Sequence, residues 1–423
     1  MQIDPGAGSL PPANAFHKIV DALSARIQNG ERGRRIERVD QSLDALATPA
    51  LVVDVERLHR NLADMADRCR RLGVRLRPHF KTPKSLVVAA LQQHLGAAGF
   101  TVSTFAEARD LLDVFGATDV LWAVPLAPTR RDEALALHRR AAEAGRRLGL
   151  LVDARCTIDG LAQAIADSAP MPDVHAWLKI DCGNRRCGVR PDDPAAESLA
   201  RRIHNTRGLR FAGLVSHSGQ AYAARGAEAL ASIAEHERAA MAGAARRLRN
   251  AGLDVPTVSV GSTPAMRYAR SLKGIDEARP GNYAYFDLMQ VRLGACTVDE
   301  VAACVRASVI SRRDDLEQTV IDAGALSLSR DDAGAPQRDG FGRILELDSL
   351  HDRPADLSSL DALPRIVGLS QEHGHVEALL DPLRPIDVLP IHSCLAVGCH
   401  DVVYFAQGHR VVAREILELT GRH

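Results

Sequence analysis

Arg77-Pro78-His79-Phe80-Lys81-Thr82-Pro83-Lys84 closes the first of a series of short apolar runs, and its reading decides the fold. A doubly wound open sheet would carry a glycine-rich turn after its first strand. Here the run over 74–81 ends in His-Phe-Lys instead. Outward from it, strand-like runs follow at 99–104, 119–126, 147–153, 176–183, 209–218, 257–263 and 282–287. Helical patterns rich in Ala, Leu, Arg and Glu lie between them, as at 84–95, 104–115, 129–145 and 226–251. Eight alternating β and α units over about 250 residues predict an α/β fold built on a (β/α)8 TIM-type barrel.

Beyond residue 293 the rhythm changes. Runs at 301–312, 319–323, 342–347, 366–371, 387–391, 401–406 and 410–416, parted by turn-like segments, predict a C-terminal all-β domain. Ahead of Thr48-Pro49 lie a short amphipathic helix near 14–28 and a charged stretch over 31–38. The expected organisation is an N-terminal extension over 1–47, packed on the β domain or on a dimer partner, a barrel over 48–292, and a β domain over 293–423.

The chain has 53 basic and 53 acidic residues, which favours neither nucleic acid nor a membrane surface. Its eight cysteines form no CxxC pair and no small-domain disulfide spacing, which fits a reducing, cytoplasmic setting. Only five of the 53 basic residues are lysines, and two of these are Lys81 and Lys84. A lysine kept in an arginine-rich chain can do what arginine cannot, namely lose its proton and act as a nucleophile. Lys81 is therefore the candidate Schiff-base lysine, whereas Lys84 is expected on the following helix as a surface charge.

In such a barrel the working residues sit at the C-terminal ends of the strands. Arg186-Cys187-Gly188-Val189, Ser216-His217-Ser218-Gly219-Gln220-Ala221-Tyr222, Gly261-Ser262-Thr263-Pro264 and Arg279-Pro280-Gly281-Asn282-Tyr283 all fall there. Glycines beside hydroxyls after strands 7 and 8 suit a phosphate. A lysine across the barrel mouth from that cradle describes pyridoxal 5'-phosphate. Near the C-terminus, His392-Ser393-Cys394 follows an apolar run. Read as a strand, it puts His392 and Cys394 on one face, where imidazole and thiolate suit Zn²⁺. By the same reading Cys399 and His400 point to opposite faces and are structural. Gln371-Glu372-His373-Gly374-His375 is either polar support for this region or a turn.

Taken in order, these motifs, together with Ile321-Asp322-Ala323-Gly324-Ala325, resemble the D-serine dehydratase/D-threonine aldolase family of fold-type III pyridoxal-phosphate enzymes, which are alanine-racemase-like. The resemblance runs from about Thr48 to the C-terminus. It implies a homodimer with Lys81 as the cofactor lysine and Arg186 near the cofactor's phenolic oxygen. Ser262, Thr263, Gly281 and Asn282 would hold the phosphate, and His392 and Cys394 would hold zinc. His217 would be a polar group near substrate, and Tyr222 a contact to the cofactor ring. Cys394 stands where aldolase-like members carry aspartate. The expectation is thus a dehydratase, an ammonia-lyase acting on D-serine or a related β-hydroxy-D-amino acid such as D-threonine or 3-hydroxyaspartate. The alternative is an aldolase that releases glycine and an aldehyde. Two departures from the family pattern are the length of the leading segment and Ala396, where a threonine is expected.

Overall fold

The computed structural model describes residues 13–27, 35–168, 170–333, 336–345 and 353–417. Strands β1 (Arg35–Ser42) and β2 (Ala50–Asp54) come first. The barrel strands are β3 (Arg75–Leu76), β4 (Phe100–Val102), β5 (Asp119–Pro125), β6 (Arg147–Val152), β7 (Val174–Lys179), β8 (Leu209–Val215), β9 (Val258–Val260) and β10 (Glu277–Ala278). They pair in the order β3-β10-β9-β8-β7-β6-β5-β4, and every pairing is parallel. A parallel bridge between His79 and Thr101 joins the two ends of that order. The Phe80 N–H donates to the Thr101 carbonyl at 2.8 Å beside it. The expected TIM-type barrel is therefore the fold.

Local chemistry sets the elements. The Asp54 carboxylate caps helix Val55–Arg71 by accepting from the Arg57 N–H at 2.8 Å. Ser85 caps helix Leu86–His94 in the same way. The 24-residue helix Ala227–Asn250 buries Ala234, Gly243, Ala244 and Ala245, small residues that permit close packing.

After the barrel come β11 (Ala303–Ala307), β12 (Val309–Arg313), β13 (Gln318–Ile321), β14 (Gly342–Leu345), β15 (Ile366–Leu369), β16 (Gly374–Val376), β17 (Ile386–Pro390), β18 (Val402–Gln407) and β19 (Arg410–Ile416). They build a sheet β1-β19-β18-β2-β11-β17-β14 and a smaller one, β12-β13-β16-β15. The large sheet thus draws β1 and β2 from ahead of the barrel. Helix Ala13–Ile27 lies against it, with the Phe16 ring 5.6 Å from Phe405. Residues 28, 31–34 and 346–347 of the expected elements lie outside the described residues.

Five local expectations are corrected. The run over 282–287 is not a strand: Asn282–Ala284 is a 3-10 turn, and Glu277–Ala278 is the eighth strand. Tyr283, Tyr285 and Phe286 are fully buried, so the run is apolar because it packs. The run over 74–81 forms only β3 and one bridge, because Pro78 has no N–H for a ladder, and Lys81 stands in the turn that follows. Lys84 precedes the helix, with φ of 48°. β17 ends at Pro390 and helix Ser393–Val397 begins with His392 as its N-cap, so strand alternation does not apply to His392 and Cys394. Nor does it apply to Cys399 and His400, which follow that helix.

Candidate active site

A cavity of ≈ 410 Å³ opens at the C-terminal end of the barrel. His79, Lys81, Lys179, Arg186, His217 and Arg279 line it, with Ser103, Val215 and Gly261 between them. It is of the size usual for a small-molecule site.

Lys81 enters from the turn after β3. Its N–H donates to His79 Nδ1 at 3.3 Å, and His79 Nε2 lies 3.4 Å from Ser103 Oγ. Burial, then the charges of Lys81 and Arg279, holds His79 well below its ordinary pKa. The next residue, Thr82, is fully buried, with Oγ1 3.1 Å from Cys394 Sγ. One hydroxyl therefore links the lysine turn of the barrel to the cysteine of the β domain.

His217 Nδ1 lies 3.2 Å from the Gly261 carbonyl, which can only accept, so Nδ1 carries the proton and Nε2 is an acceptor. Burial and the nearby lysines bring its pKa down to about 3, so it is neutral at working pH. The Tyr222 ring is 6.4 Å away, and burial raises its hydroxyl pKa.

The phosphate candidates fall into two groups. Gly261, with φ of 118°, turns the chain from β9 to helix Thr263–Tyr268, and Ser262 is the N-cap without using its side chain. Ser262 Oγ is 3.1 Å from Ser218 Oγ, and Thr263 Oγ1 accepts from the Tyr283 N–H at 3.1 Å. Gly281 is packed so closely that a Cβ there would stand 2.8 Å from His79 Cβ. The Asn282 side chain has partners of its own. Its Nδ2 donates to Asp287 Oδ2 at 2.6 Å and Ser393 Oγ at 3.0 Å, so this amide braces the β-domain helix. Ser262, Thr263 and the first-turn N–H groups, with Gly281, are the groups that could hold an anion here.

Asp287 carries the other half of that brace. Its Oδ2 accepts from the Ser393 N–H at 2.9 Å, which fixes His392-Ser393-Cys394 against the barrel. His392 Nδ1 lies 2.8 Å from Asp331 Oδ2, so Nε2 is the nitrogen left for a metal. Burial opposes charge on His392, but Cys394, Asp287 and Asp331 outweigh it and hold its pKa up to about 10. Burial would likewise raise the Cys394 pKa, but hydrogen bonding to His392 and the charges of His392 and Lys81 bring it below the ordinary thiol value. An imidazole and a thiol driven toward thiolate are donors that suit a zinc ion. Among the described residues no third His, Cys, Asp or Glu joins them, so water or substrate would complete the shell.

Several residues here escaped the sequence reading. Lys179 ends β7, is buried, and lines the same cavity; burial, then Arg279, brings its pKa down to about 8. The lysine scarcity that singled out Lys81 applied equally to it. Arg279 donates to Ser259 Oγ and to the Ser216 carbonyl. Buried Glu237 accepts from Ser216 Oγ at 2.7 Å and Ser218 Oγ at 2.8 Å, beneath Ser262. Nothing local in the sequence marks Glu237 or Asp331.

Comparison with known proteins agrees with this architecture. The alanine racemase N-terminal domain family matches residues 53–289 and the putative serine dehydratase domain family residues 302–406. D-threo-3-hydroxyaspartate dehydratase of Delftia sp. (strain HT23) is 38% identical over 383 residues, 87% of this chain and 96% of that protein. D-serine dehydratase of Dictyostelium discoideum is 29% identical over 392 residues, 85% of this chain and 93% of that protein. The solved Delftia enzyme superposes with a TM-score of 0.80 at 36% identity, covering 88% of this chain and 98% of its own; a mutant of it was solved in the metal-free form. D-threonine aldolase from Filomicrobium marinum superposes at 0.77 and 29% identity, covering 91% and 99%. Among the described residues no helix is long and apolar enough to cross a membrane.

Proposed function

The chain belongs to the D-serine dehydratase/D-threonine aldolase family, on an alanine-racemase-like fold, and we propose that within it the protein is a pyridoxal-phosphate- and zinc-dependent dehydratase. It converts D-serine or a related β-hydroxy-D-amino acid to a 2-oxo acid and ammonia. The observation that carries this reading is the 3.1 Å contact between Thr82 and Cys394, which sets Lys81 and the His392–Cys394 pair at one site. A homodimer is part of the same proposal.

When bound, the cofactor supplies an electron sink for the pair left at Cα, and zinc supplies Lewis acidity at the β-hydroxyl. The chain's own residues do the rest. Lys81 Nζ, in the cavity, is the group that takes the Cα proton. Ser262, Thr263 and the first-turn N–H groups would hold the phosphate, and Arg186, at the cavity wall, would neutralise the ring oxygen. His392 and Cys394 hold the metal. His217 Nε2, kept unprotonated, is a fixed acceptor toward substrate and adds no positive charge. Arg279 and Lys179 give the cavity the cations that attract a carboxylate. In balance, the Cα–H and Cβ–O bonds break and water leaves, Cβ takes a proton as the enamine tautomerises to the imine, and water adds at Cα as ammonia departs.

Cysteine in place of a carboxylate favours dehydration over the aldolase alternative, because a softer, zinc-selecting pair suits activation of a leaving hydroxyl. Lys81→Ala is expected to abolish both turnover and the cofactor's visible absorbance. A chelator is expected to stop turnover while the absorbance stays. Turnover that survives complete zinc removal would refute the metal's role.

A further inference from the structure

A second cavity, of ≈ 190 Å³, lies at the opposite, N-terminal end of the barrel strands. Arg75 on β3, Arg77 just after it, Arg147 at the start of β6 and Arg210 on β8 line it, with His175 and Trp177 of β7. The interior cluster Leu121, Leu151, Trp177, Ala212 and Val215 separates it from the mouth. The site described above uses none of these arginines.

The charges there do not cancel. Arg77 is committed to Glu277 at 2.9 Å and to Asp119 at 2.9 Å. Arg147 shares the same Asp119 oxygen at 3.0 Å, and Arg75 reaches Glu277 only at 3.8 Å. Among the described residues Arg210 has no carboxylate within ion-pair distance. Four guanidiniums against the carboxylates of Asp119, Glu277 and the adjoining Asp276 leave a positive excess. His175 registers that field: burial first, then Arg147 and Arg210, push its imidazole toward the neutral form. Arg75 and Arg147 are more than half exposed and Arg210 is exposed, so this concave cluster of like charge holds its field at the solvent edge and concentrates anions.

We propose that the floor of the barrel binds a small doubly charged oxyanion of the phosphate or sulfate class, held by Arg75, Arg147 and Arg210. Three guanidiniums from three strands suit an anion with acceptors on several sides, whereas a single carboxylate is satisfied by one fork. The cavity admits an inorganic anion.

Trp177 in the wall supplies the readout, because the chain has two tryptophans and the other, Trp122, can be changed to Phe. Inorganic phosphate and sulfate are titrated separately into the cofactor-loaded Trp122→Phe protein, with chloride holding the ionic strength. The expected result is a saturable change in Trp177 fluorescence. In Arg210→Ala and in Arg147→Ala the midpoint should rise on the order of tenfold. A phosphate-dependent rise in Tm that Arg210→Ala diminishes is the second readout, and it holds even if Trp122→Phe folds poorly. A non-saturating response, or midpoints and Tm shifts unchanged in Arg210→Ala, overturns the site and leaves the arginines as an ion-pair layer closing the barrel.

Discussion

Asp331 determines which nitrogen of His392 is available. With Nδ1 engaged at 2.8 Å, the ring offers Nε2, and the carboxylate restricts its rotation. Asp331→Asn is expected to weaken zinc retention on the order of 10–100-fold, measured by competition with a chromogenic chelator. His217 gives a pH prediction. Its pKa lies at about 3 in the folded protein against 6.5 ordinarily, so below pH 6.5 the unfolded chain takes up the proton first. The stability held above pH 6.5 is therefore lost as pH falls toward 3. His217→Asn should flatten that slope in urea unfolding measured across the window; an unchanged slope would assign the acid sensitivity to other groups. At this scale the sequence singles out Lys81, His392 and Cys394, where residue type alone suggests chemistry. It was not legible for Asp331 and Glu237, because a carboxylate's partners lie far away along the chain: Asp331 is 61 residues from His392. The side-chain bonds of Asn282 were not legible, because a hydrogen-bonding amide beside glycine looks the same whether it faces a phosphate or braces a helix.

The elements hold the site by ties between the two sheets and the barrel. Buried Glu415 on β19 accepts from Ser85 Oγ at 2.5 Å and the Leu86 N–H at 2.8 Å, capping the helix that follows the Lys81 turn. Glu415→Ala would orphan those donors and is expected to cost about 2–4 kcal/mol, read from urea unfolding. Most strands were legible because parallel barrel strands are buried on both faces and read as apolar runs. The eighth was not. β10 carries Glu277, whose charge makes it look exposed; it is buried against Arg77, which no pattern of hydrophobicity can express. The aromatic run beside it took its place. The segment at Cys394 failed for a related reason, since a five-residue helix is too short to display a helical period.

The whole molecule brings together groups that the sequence keeps far apart. The large sheet pairs β2 with β11 and β18, on either side of a barrel's length of chain, and so docks the β domain on the barrel mouth. That docking sets Cys394 beside Thr82, 312 residues earlier in the chain. The two-part architecture was readable from the change of rhythm after residue 293. The recruitment of β1 and β2 was not, because a strand's sequence does not say which sheet it joins. Whether this assembly eliminates water from a β-hydroxy-D-amino acid is decided by product analysis. The zinc-loaded enzyme is incubated with D-serine, D-threonine and the 3-hydroxyaspartates, and all four possible product types are measured. Equimolar 2-oxo acid and ammonia, lost on chelation, are expected; glycine with an aldehyde as the main products would rule dehydration out.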